Sequence, residues 1–232
     1  MSVNVLSHPV VQAKLSELRD ARTSSHRFRA LVKELSTVLG IEASRNLPVK
    51  DVPGVSPTAL LYSVSLANRP ADLTVSTRQL KSPIAPFTGK AIAPRVGLTP
   101  ILRAGIGMTD PMLDLFPEAS VFYLGLFREK VSLQPVEYYQ KLPATVTVDT
   151  LFLLDPLIAT GGTAIAAISI LQLDWGLDIS QIKLLSILGS RPGLQKVAEA
   201  YPGLEIYACA VDDEVRLSPR AESLPASFRG RT

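Results

Sequence analysis

From Phe28 onward apolar side chains recur at Leu31, Val32, Leu35, Val38 and Leu39, the three-and-four spacing of one helix face, and predict a helix over residues 25–39. Gly40 reads as its terminator and Ser24 or Ser25 as its cap. Ahead of it, Pro9 suits the first turn of a shorter helix towards Asp20, with Val10, Val11, Leu15 and Leu18 as a loose apolar face. Residues 44–95 break this pattern: Pro48, Pro53, Pro57, Pro70, Pro83, Pro86 and Pro94 exclude any long element. Leu73, Val75 and Thr77 alternate with polar neighbours there, and Thr88-Gly89-Lys90 reads as a turn between short strands, so a β-rich arm is expected.

Beyond residue 95, short apolar runs alternate with stretches of helical length. Strands are expected over 96–102, 121–127, 151–154, 182–188 and 204–210, with helices ending near Leu115 and spanning 164–173 and 192–200. Pro100 demotes 96–102 to an edge or bulged strand. The alternation implies an α/β fold, a mainly parallel sheet flanked by helices with ligand loops at the carboxyl ends of its strands. No internal repeat or low-complexity tract interrupts it.

The chemistry concentrates in residues 150–173, TLFLLDPLIATGGTAIAAISILQL. An apolar run stops at Asp155-Pro156, and Ala159-Thr160-Gly161-Gly162-Thr163 then leads into a helix. Such a loop offers backbone N–H groups at a helix N-terminus, where unpaired donors and the dipole favour a phosphate dianion. The two glycines permit close approach, the threonine hydroxyls add donors, and Asp155 is placed to accept hydrogen bonds from a sugar diol. Taken alone, the string is equally an ordinary strand-to-helix connection. It lacks the Gly-Lys-Ser/Thr ending of a nucleotide P-loop and the Gly-x-Gly-x-x-Gly of dinucleotide binders.

Composition narrows the field modestly. The chain has 232 residues, 47% hydrophobic and 19% charged, enough for one sizeable core. A net charge of +3 without a basic block or interleaved aromatics gives no reason to expect nucleic acid as partner. Cys209 is the single cysteine, so neither an internal disulfide nor a multi-cysteine metal site is available. His8 and His26 stand apart and unaccompanied and read as surface or packing residues. With no signal-like N-terminus and no apolar run of membrane-spanning length, a cytoplasmic protein without a membrane partner is the expectation.

The string LLDPLIATGGTA resembles the phosphoribosyl-pyrophosphate (PRPP) loop of the type I phosphoribosyltransferases, and most closely that of the uracil phosphoribosyltransferases, which reads Asp-Pro-Met-Leu-Ala-Thr-Gly-Gly-Ser. Leu154 before a single Asp155, in place of two acids, is the uracil-enzyme form. PILRAG, ending at Gly105, matches that family's pyrophosphate loop; FREK resembles its Tyr-Arg-(Asn/Asp)-Glu segment, and YYQKLP its mobile loop. HPVVQAKLSELRDARTSSHRFR is similar to its N-terminal helices, and Asp212 falls where the family also ends a strand on Asp.

The resemblance implies a type I phosphoribosyltransferase-like fold over residues 1–214, with an N-terminal helical segment and with 44–95 as an appended β-arm. It implies UMP and pyrophosphate formation from uracil and PRPP. Asp155, Arg103 and Arg128 would be the catalytic residues. PRPP would also meet Pro156, Leu157, Ile158, Ala159, Thr160, Gly161, Gly162 and Thr163. Tyr138, Tyr139 and Lys141 would belong to the mobile loop, although by themselves they equally suit a solvated hairpin tip. Mg²⁺ would arrive on PRPP, GTP would act as an activator, and the N-terminal helices and arm would support a homodimer. Residues 215–232, VRLSPRAESLPASFRGRT, depart from the Gly-rich segment with which the family covers uracil, and are expected to be a disordered tail. That departure keeps open a non-catalytic PRPP-binding paralogue or a truncated gene product, acting as a dimerising or regulatory subunit. An RNA-binding regulator on the same fold is the remaining alternative.

Overall fold

The computed structural model describes residues 3–55, 80–81, 88–128, 135–140 and 142–214. The expected alternation at Leu73, Val75 and Thr77, the residue Lys141 and the expected tail 215–232 lie outside them, as does the side chain of Arg128. The chain divides into two compact units, Asn46–Pro94 and the remainder.

The larger unit is built on one sheet. Its strands are β1 (Val3–Val5), β5 (Val96–Leu102), β6 (Ser120–Val121), β7 (Leu124–Arg128), β8 (Pro135–Gln140), β9 (Thr150–Leu154), β10 (Leu157–Ile158), β11 (Ile182–Ser190) and β12 (Glu205–Asp212). They run in the order β1-β12-β11-β9-β5-β7-β8, with β10 beside β11 and β6 beside β5. Every pairing is parallel except β7 with β8. The helices are α1 (Pro9–Arg19), α2 (Ser25–Ala43), α3 (Ile106–Leu115), α4 (Gly162–Leu173) and α5 (Arg191–Ala200). Helices α1, α2 and α3 pack on β12, β11 and β5, while α4 and α5 pack on each other and on β7, β11 and β12. The strands β9 and β11 are almost wholly buried, which is why they read as continuous apolar runs and not as alternating ones.

Three local expectations are corrected. Helix α2 does not stop at Gly40 but continues to Ala43, capped at its start by Ser24, whose hydroxyl accepts the Arg27 N–H. Gly40 is there for space: a Cβ would lie 2.5 Å from Met112 Sδ and 2.8 Å from Leu115 Cδ1, so its lack of a side chain lets α2 approach α3. Gly40→Ala is expected to lose about 1 kcal/mol net, because overpacking of one to three outweighs the gain in helix propensity and Met112 yields only in part. Denaturant unfolding checks this, and a rise in stability would mean that Met112 moves aside freely.

Nor is β5 an edge strand. It pairs β9 along Val96 to Pro100, and on its other side pairs β6 at Gly97 and Leu98, then β7 at Ile101 and Leu102. The Leu98 carbonyl accepts the Phe122 N–H on that second side. Pro100, two residues on, turns its hydrogen-less nitrogen the same way, into the gap where one partner strand ends and the next begins. A proline is therefore accommodated inside the sheet.

In the smaller unit, β2 (Val49–Val55) lies between β3 (Leu80–Lys81) and β4 (Thr88–Ile92). Thr88-Gly89-Lys90 is thus strand and not turn, held by antiparallel pairing with Asp51, Val52 and Pro53 and by the Lys90–Asp51 ion pair.

Two features carry no local sequence signal. Lys183, 5% exposed near the start of β11, gives its ammonium to the Ala43 carbonyl at the end of α2 (3.1 Å) and to Glu205 (3.1 Å), and lies over the Tyr207 ring. Tyr207 donates to the same carboxylate, and burial raises its phenol well above the ordinary value. The lone thiol of Cys209 is pushed up to about 12 by burial and is protonated at neutral pH.

Candidate functional site

Two turns meet at the carboxyl ends of neighbouring strands. Along β5 and β9, Thr99 faces Leu153 and Pro100 faces Leu154, so the chain leaves both strands at nearly the same level. After β5 it passes through Arg103, which is exposed and preceded by a cis peptide bond from Leu102, and enters α3 at Gly105. After β9 it passes through Asp155, which is half-buried, and Pro156, which is buried.

Gly105 sets the distance between the two turns. A Cβ at Gly105 would lie 2.5 Å from the Leu154 carbonyl oxygen and within 2.8 Å of the Ile101 backbone, so the turn carrying Arg103 is seated against the residue before Asp155. The Asp155 N–H donates to the Leu185 carbonyl, and its carboxylate accepts the Leu157 N–H at 3.4 Å. Leu157 and Ile158 form β10 against Leu188 and Gly189.

Next come Ala159 and Thr160, half-buried, and Gly161, buried at φ 75°, in the left-handed region that favours glycine. Gly162 and Thr163 open α4. No side chain caps this helix, in contrast to His8, Ser24 and Ser190, which cap α1, α2 and α5. The N-cap Gly161 thus supplies no side-chain acceptor to the first-turn N–H groups at the positive end of the helix dipole.

The loop rests on the start of α5. Ser190 accepts the Gly193 N–H (3.0 Å) and donates to the Ala159 carbonyl. A Cβ on Gly193 would lie 2.3 Å from the Ala159 oxygen, and one on Gly161 2.5 Å from the Gly193 oxygen. Sequence reasoning missed Ser190 and Gly193; the signal available was Ser190 preceding Arg191-Pro192-Gly193, a helix start immediately after a buried strand.

The remaining predicted residues lie further along the sheet. Arg128 is the last residue of β7. Tyr138 and Tyr139 are exposed on β8, where Tyr139 pairs with Gly125, itself level with Leu102. Tyr138 covers Gly125, whose Cβ would meet its ring at 2.7 Å. At the far side, Asp212 pairs with Arg19 and Asp213 with Arg191, both at 2.7 Å. These exposed pairs link α1 and α5 to the end of β12 and contribute little energy. Among the described residues, no cluster of three or more His, Cys, Asp or Glu side chains stands ready to hold a metal, and no helix is long and apolar enough to cross a membrane.

Fold and strand-end turns place the chain among helix-covered, mainly parallel α/β proteins. The AQ2163 protein from Aquifex aeolicus has a similar structure, with a TM-score of 0.70 and 25% identity over 92% of this chain and 88% of that one. The sequence profile of uracil phosphoribosyltransferase matches residues 5–70 and 60–220. A uracil phosphoribosyltransferase of Roseiflexus castenholzii is 43% identical over 213 residues, 92% of this chain and 88% of the relative. One from Desulfitobacterium hafniense is 41% identical over 212 residues, 91% and 88% of the two chains. The chain belongs to the uracil phosphoribosyltransferase family.

Proposed function

We propose that the chain is a pentosyltransferase of pyrimidine salvage that joins the 5-phosphoribosyl group of PRPP to N1 of uracil, giving UMP and pyrophosphate. The observation that carries the reading to particular residues is the seat of Gly105 against the Leu154 carbonyl, which puts the turn bearing Arg103 beside the strand end bearing Asp155. Residues 159–163 receive the 5′-phosphate on backbone N–H groups and the first turn of α4. Asp155 accepts hydrogen bonds from the ribose hydroxyls. Arg103, joined by Arg128, neutralises the pyrophosphate as it leaves.

The anomeric carbon acquires oxocarbenium character as its bond to pyrophosphate breaks, so the protein's contribution is chiefly positioning and charge stabilisation. Mg²⁺ comes with the substrate, because it favours phosphate oxygens and water over a cage built of side chains. Tyr138, Tyr139 and Lys141 belong to the segment that closes over PRPP and keeps water from the reacting carbon. The proposal includes residues 1–214 as one catalytic domain with 44–95 as its arm, assembly as a homodimer, activation by GTP and a cytoplasmic setting; these finer points rest on the family resemblance.

The test is Mg²⁺-dependent formation of UMP from labelled uracil and PRPP. PRPP binding without turnover would replace the enzyme by a non-catalytic PRPP-binding subunit. Asp155→Asn is expected to weaken PRPP binding by about 10- to 100-fold, the loss of charge-assisted hydrogen bonds, while leaving the thermal midpoint unchanged. Unaltered PRPP affinity in that variant would remove Asp155 from the site.

A further inference from the structure

We infer that Ser190 is a positioning residue for the 5′-phosphate, acting through the peptide that joins Ala159 to Thr160; the inference rests on residues 159–163 being the phosphate loop. Ser190 is the last residue of β11 and is 6% exposed. Its oxygen accepts the Gly193 N–H at 3.0 Å, the ordinary duty of a helix cap. Its one proton goes elsewhere, to the Ala159 carbonyl in the loop.

That second bond fixes the sense of a peptide plane. In a trans peptide the carbonyl and the following N–H point in opposite directions. With the Ala159 carbonyl turned to Ser190, the Thr160 N–H is turned away from α5, and the loop meets an arriving anion with a donor. The opposite sense would present a carbonyl oxygen to a dianion. Gly161 and Gly193 allow the two backbones to touch, and the Ser190 hydroxyl adds a donor aimed at the Ala159 oxygen. The Ser190 hydroxyl is the group that distinguishes the two senses.

A cap serves stability through its acceptor, whereas the loop depends on the donor, so ligand selectivity separates the two roles. Ser190→Ala is expected to weaken binding of ribose 5-phosphate about tenfold, the worth of one buried hydrogen bond, and to leave pyrophosphate binding unchanged in calorimetric titrations of the full chain. Ser190→Thr, which keeps the hydroxyl, is expected to restore ribose 5-phosphate binding. Asp155→Asn, titrated alongside, reports on the loop assignment itself. If Ser190→Ala loses both ligands equally, or loses neither while Asp155→Asn loses ribose 5-phosphate, the role of Ser190 is overturned and the site reading survives. If ribose 5-phosphate binds both variants as it binds the parent, both the positioning role and the site reading fall.

Discussion

Gly161→Ala is expected to cut UMP formation by about 100-fold or more, since displacement of a positioning loop by about an ångström has consequences of that size. Two independent effects act at this one residue. At φ 75° a side chain costs about 1–2 kcal/mol. The added methyl would also lie 2.5 Å from the Gly193 carbonyl oxygen, which belongs to a helix start and has nowhere to go. The loop must therefore lift from α5, carrying the N–H groups of residues 160–163 with it. Gly176 supplies the control: it too has positive φ, 82°, but a Cβ there meets nothing within 4 Å, so Gly176→Ala should show strain in thermal denaturation and normal turnover. Equal activity in both variants would separate the loop from catalysis.

The second large effect is expected at Gly105, where alanine should lower stability by about 3 kcal/mol through overpacking against rigid neighbours. Those neighbours are the Leu154 oxygen and the nitrogen and oxygen of Ile101, all backbone. In thermal denaturation this corresponds to a fall of about 6–12 °C for a chain of this size. Two residues later, inside α3, a Cβ at Gly107 would touch only Val32 Cγ1, at 3.4 Å. Gly107→Ala should consequently be neutral or stabilise by about 0.5–1 kcal/mol, through reduced backbone freedom in the unfolded chain. Similar midpoints for the two variants would show that the turn accommodates a side chain, and that the seat between the strands is looser than the contacts imply.

The parts of this protein legible in its sequence are those whose cause is local. The stripe from Phe28 to Leu39, the apolar run ending at Asp155 and the Gly-Gly helix start each state their own structure within a dozen residues. Gly40 and Pro100 misled because their meaning depends on distant partners. Gly40 admits α3, some seventy positions away in sequence, and Pro100 faces a gap between strands formed twenty residues later. Thr88 to Lys90 has turn composition, yet pairing with Asp51 and Val52 makes it strand. The candidate site divides in the same way. Arg103, Asp155 and residues 159–163 stood out as strings, whereas Ser190 and Gly193 act on the backbone carbonyl at 159, which no pattern near them announces.

The pairing of β1 with β12 joins Val3 to Ile206 and Val5 to Ala208. It gives synthesis of this chain a waiting period. At ribosomal speeds of about 5–20 residues per second, the first strand is exposed for roughly 10–40 s before its partner is made. Helix α1 waits with it, holding Val11, Leu15 and Leu18 for a seat that includes β12. The apolar face of α1 thus lacks that part of its seat until a strand some two hundred residues downstream has been made, and the β1 border of the sheet cannot close before then.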